Sequence, residues 1–64
     1  MILTTLERHE VFYACDMAKG WLENKWKLLG PKYNMSYYKR RKEAERHLDY
    51  ALAIVDRAKK RELI

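Results

Sequence analysis

The chain carries one cysteine, one proline and two glycines among its 64 residues. A single thiol, Cys15, closes no disulfide within the chain, and small exported domains usually depend on several, so a reducing cytoplasmic setting is expected and Cys15 reads as a small core residue. Scarce Gly and Pro argue against a turn-rich β fold. The longest uninterrupted aliphatic run is Ala51 to Val55, so no membrane span is expected, and the first residues lack the basic start and apolar stretch of an export signal. Glycine-rich phosphate loops, nucleophile elbows and metal-ligand spacings are missing, and carboxylates mostly stand beside bases, as Glu23 does with Lys27. No catalytic residue, metal or cofactor is therefore expected, and the chain is not read as an enzyme.

What is present is 48% apolar and 36% charged, the composition of a highly helical protein. A chain this short removes only about 60% of its unfolded surface from water, so a second copy or a partner is expected to complete its core.

The only helix-breaking pair is Gly30-Pro31, which divides residues 1–64, taken as one domain, into two helices. Thr4 with Glu7 forms a capping-box pattern, so helix 1 is expected from about Thr5 to Leu29, a loop over 30–36, and helix 2 from about Tyr37 to Glu62, with Ser36 favoured over Asn34 as its cap. In helix 2, Ala44, Leu48, Ala51, Val55 and Ala58 alternate at spacings of four and three, with Tyr37 extending the stripe toward the loop. Helix 1 answers with Val11, Cys15, Ala18, Leu22 and Leu29, beside Ala14. Small residues at alternate seam positions let two helices approach closely. The expectation is an all-α, antiparallel two-helix hairpin with an alanine-rich seam, pairing Ala18 with His47 and Leu48, and Val11 with Val55.

One hairpin leaves apolar surface over on helix 1. Leu3 and Leu6, Met17, Trp21 and Leu28 widen its stripe beyond what a single neighbour covers. A second hairpin would cover it and form a homodimeric four-helix bundle. The expected protein interface comprises Leu6, Tyr13, Met17, Trp21 and Leu28. Phe12 and Tyr13 face away from the seam, and Tyr50 and Ile54 on helix 2 raise the same question of what covers them.

Charge is localised. Residues 1–31 and 43–64 are each electrically balanced, whereas Lys32 to Lys42 holds five bases, three tyrosines and no acid. Cations interleaved with flat rings neutralise phosphates and stack on bases, which points to nucleic acid, RNA or DNA, held through Lys32, Tyr33, Tyr38, Lys39, Arg40, Arg41 and Lys42. Tyr37 and Trp21 read instead as packed residues. The competing account of the bases is a solvated charge run. A different class of function is a small inhibitor or adaptor, of the kind viruses and plasmids encode, docking its apolar helix face on a larger protein with an acidic patch. His9 and His47 fall about 13 Å apart along the axis in the expected register, too far to share an ion.

Overall fold

The structure, a computed structural model, describes residues 2–62; Met1, Leu63 and Ile64 of the expected domain lie outside them. Two α-helices, α1 (Thr5–Leu22) and α2 (Tyr37–Glu62), run antiparallel against each other, and no strand occurs among the described residues. Their connection contains two short 3-10 helices, Lys25–Leu29 and Pro31–Tyr33. The molecule measures 48 × 20 × 14 Å, a single layer two helices wide. Neither helix is long and apolar enough to cross a membrane among the described residues.

The capping box forms at the start of α1. Thr4 Oγ1 accepts from the Glu7 amide (3.1 Å) and Glu7 Oε1 accepts from the Thr4 amide (3.0 Å), satisfying two donors that a helix start leaves unpaired. The far end of α1 departs from expectation. Helix 1 was expected to reach Leu29, but it stops at Leu22, because Asn24 adopts the left-handed conformation (φ 58°, ψ 34°) and its amide returns to the Trp21 carbonyl. Asn is one of the few side chains that tolerates this conformation, so it ends the helix before Gly30 is reached. Gly30 (φ 142°) instead separates the two 3-10 helices, and Pro31 opens the second.

The earlier stop shifts the register by about one turn. Arg40 reaches the Leu22 carbonyl, Tyr50 Oη donates to Glu10 Oε2 (3.4 Å), and Arg61 meets Glu7. His47 therefore lines the same groove as Ala14 rather than standing level with Ala18.

The buried core is almost entirely alanine: Ala14, Ala18, Ala44, Ala51 and Ala58, with Ile54. Small contact residues suit the close end of the 8–10 Å range of helix separations. Several seam residues are corrected. Cys15 is exposed rather than buried, Leu22, Leu29 and Leu48 are exposed, and Val11 and Val55 are half-buried. Ile54, expected outside the seam, is only 2% exposed. The true contact line is rotated on both helices from the heptad stripe, so its large members remain at the edge.

Opposite the connection, a charged clasp joins the ends of the chain. Both nitrogens of the Arg61 fork donate to the Glu7 carboxylate at 2.7 Å, and Nη2 also reaches the Ile2 carbonyl. Glu7 is 7% exposed and already holds the Thr4 amide. The Arg61 hydrogen bonds, then the Thr4 amide, hold its carboxyl at about 2, against the smaller opposing effect of burial.

Candidate nucleic-acid interface

The basic window occupies one end of the long axis. Lys32 and Tyr33 lie in the second 3-10 helix, and Lys39 to Lys42 in the first turns of α2. Ser36 starts α2 as expected: its hydroxyl accepts from the Lys39 amide (3.4 Å) and its carbonyl from the Arg40 amide (3.0 Å). Four bases at a helix N-terminus oppose the local dipole, which favours anions there. The fold resolves this differently for each base.

Arg40 turns inward. Its Nη1 donates to the Leu22 carbonyl (3.0 Å) and the Trp21 carbonyl (3.3 Å), and its Nε to the Met35 carbonyl (3.2 Å). Those first two carbonyls are at the negative end of α1, where a cation is favourable; the Trp21 carbonyl also accepts from the Asn24 amide (3.2 Å). The guanidinium also lies 5.6 Å from the Tyr37 ring centre. Arg40, expected to hold phosphate, thus ties α1 to α2.

The remaining cations face outward. Arg41 pairs with Glu45 (3.2 Å), and Lys42 approaches the same carboxylate (4.0 Å) while lying 5.5 Å from the Tyr38 ring centre. Lys32 sits 5.5 Å from the Tyr33 ring centre. Among the described residues Lys32 and Lys39 form no ion pair. The same holds for Lys27, which sequence reasoning missed. Lys27 joins this end because Lys25–Leu29 is part of the tip rather than the last turns of helix 1; its place beside Trp26 was the available signal.

Two aromatic expectations change places. Tyr38 is exposed (68%) as expected, but Tyr33 is half-buried, tilted against Trp21 at 6.5 Å. Tyr37, read as a seam residue, is 60% exposed. Trp21 is held between Tyr33 and Trp26, the latter edge-on at 6.4 Å. Trp26 in turn lies on Gly20, where an added Cβ would stand 2.8 Å from the ring. The indole N–H groups of Trp21 and Trp26 and the Asn24 side-chain oxygen are buried without hydrogen-bond partners.

Of the expected protein interface, Leu6, Tyr13, Met17 and Trp21 share one face of α1, and Leu28 stands apart in the tip. Leu6 and Tyr13 are exposed and Met17 half-buried along α1, Trp21 packs in the tip cluster, and Leu28 projects from the tip at 86% exposure. His9 and His47, expected to be far apart, line one groove of about 460 Å³ with Glu10, Tyr13, Ala14 and Tyr50. No group of three or more His, Cys, Asp or Glu side chains able to hold a metal converges among the described residues.

No family model, curated protein or solved structure matches the chain.

Proposed function

We propose that the chain is a small cytoplasmic, non-enzymatic nucleic-acid-binding protein, working as a homodimeric four-helix bundle and holding phosphates through the hairpin tip. The observation that carries this reading is the contrast within one charge run. Arg40 is consumed by backbone carbonyls, while Lys32 and Lys39 stand at the same end without an ion pair among the described residues, near the exposed Tyr38 ring. Lys39, with no carboxylate to neutralise it, opposes the dipole at the start of α2, and a phosphate reverses that sign. Tyr38 and Tyr37 offer faces for base stacking. Bases spread around a helix start touch backbone better than base edges, so affinity falls steeply with salt and sequence preference is low.

Fluorescence anisotropy against labelled single-stranded RNA, duplex RNA and duplex DNA, across a salt series, tests this. Binding that persists at physiological salt and prefers one form supports it; loss of all binding at moderate salt removes it.

One observation favours a second reading, a protein-docking module. Leu28 is 86% exposed at the tip, and Leu6 and Tyr13 are exposed along α1. On that reading the cations only steer association, and Leu6→Ala with Leu28→Ala abolishes capture of an acidic protein while leaving nucleic-acid affinity unchanged.

A further inference from the structure

The hairpin exposes 5266 Å², whereas a folded monomer of 7.8 kDa exposes about 4,400 Å². The surplus, about 900 Å², equals what each partner buries in a standard protein interface, about 800 Å². The two helices touch along Glu7, Ala14 and Ala18 on one side and Ala44, Ala51, Ile54 and Ala58 on the other. The heptad stripes, Val11 to Leu22 and Ala44 to Ala58, are rotated from that line by roughly 35–50° at 100° per residue. In both helices the rotation is toward the flat side opposite the His9 and His47 groove. A helix with one neighbour aims its stripe at that neighbour; a helix in a four-membered bundle aims it between two, at the bundle axis. Val11, Cys15, Leu22, Leu48, Leu52 and Val55 lie along this flat side, with Leu48 at 40% and Leu52 at 64% exposure.

We propose that a second copy of the chain covers this side, stacked so that the two basic tips lie at opposite ends and the dimer bridges two nucleic-acid segments. The bridging rests on the nucleic-acid reading above; the face and orientation do not. Orientation follows from charge. With tips together, two windows Lys32–Lys42, each with five bases and no acid of its own, would stand side by side. With tips apart they are separated by most of the 48 Å length, several screening lengths at physiological salt (about 8 Å each).

The tips-apart stack lays α1 over α1 of the partner copy. Cys15 lies within two residues of the middle of Thr5–Leu22, so with the layers in full overlap the two thiols are offset by only about 5 Å along the axis. With tips together, α1 lies over the partner's α2 and the thiols are diagonal across the bundle.

Light scattering of the wild-type chain and reaction with a short bis-maleimide test the arrangement. The expected result is a dimer whose two Cys15 thiols cross-link in high yield. A monomer throughout the micromolar range, or a dimer that does not cross-link, overturns it. Leu48→Lys, at a position already part-exposed in the hairpin, is expected to keep its helical circular dichroism, halve the mass and lose cross-linking, whereas Tyr13→Lys on the opposite side retains both. Persistence of the dimer in Leu48→Lys contradicts the assignment. Energy transfer between two differently labelled RNAs, present with the wild type and lost with Leu48→Lys, reads out the bridging. A cross-linked dimer that binds no nucleic acid leaves the face standing and removes the proposed function.

Discussion

At Arg40 a residue that reads as a phosphate ligand becomes a fastener. A guanidinium supplies several donors in a fixed fork, and the end of α1 presents the Trp21 and Leu22 carbonyls to it. Arg40→Ala is expected to lower unfolding stability by about 1.5 to 3 kcal/mol, the range for hydrogen bonds to a charged group. Lys39→Ala is expected to stay within about 0.5 kcal/mol of wild type and to weaken nucleic-acid binding instead. Urea denaturation beside anisotropy separates the two roles, and the opposite pattern would make Arg40 the ligand. Gly20 is a second position where one atom decides. Alanine ordinarily stabilises a helix relative to glycine by about 0.5 to 1 kcal/mol, yet here the new Cβ would meet Trp26 at 2.8 Å. Gly20→Ala is therefore expected to destabilise by about 1 to 3 kcal/mol through overpacking and to shift tryptophan emission as Trp26 leaves its seat. An unshifted spectrum with raised stability would mean that the Trp26 contact is not formed.

At the scale of elements, the two helices meet at their open end through Glu7 and Arg61. The Glu7 carboxyl is held at about 2, from an ordinary 4.5. Its folded value is depressed, so its contribution is fully present above pH 4.5, where the unfolded chain is also ionised, and is lost as pH falls from 4.5 toward 2. Thermal melts between pH 7 and pH 2 are expected to show the wild-type melting temperature falling across that window. Glu7→Gln should melt lower at pH 7 and follow a flatter profile; a wild-type and variant pair with parallel profiles would contradict the clasp. The elements also show what was legible beforehand. The capping box at Thr4 and Glu7, the start of α2 at Tyr37 and the alanine content of the seam follow from local chemistry, and all three are present. The end of α1 was not legible, because Gly30-Pro31 is the stronger breaker on local grounds while Asn24 acts through a left-handed turn that Asn adopts only sometimes. The register error, the exposed Cys15 and the burial of Ile54 all follow from that stop and from a contact line rotated off the heptad stripe. The inward turn of Arg40 was hidden for another reason: it depends on α1 ending beside residue 40.

The whole molecule is a thin layer with an alanine core, a charged clasp at one end and a basic, tyrosine-bearing tip at the other. Charge at the tip, rather than total charge, is what the proposed function requires. Two double variants of equal net charge isolate it: Lys32→Ala with Lys39→Ala at the tip, and Lys59→Ala with Lys60→Ala near the opposite end. The decisive measurement is the slope of log affinity against log salt for wild type and both variants on the preferred nucleic acid. Each phosphate contact contributes roughly 0.7 to the slope on single strands and 0.9 on B-form DNA. Phosphate binding at the tip predicts a slope shallower by about 1.4 to 1.8 for the tip variant and unchanged for the other. Equal slopes in the two variants would contradict it, since binding would then follow net charge alone.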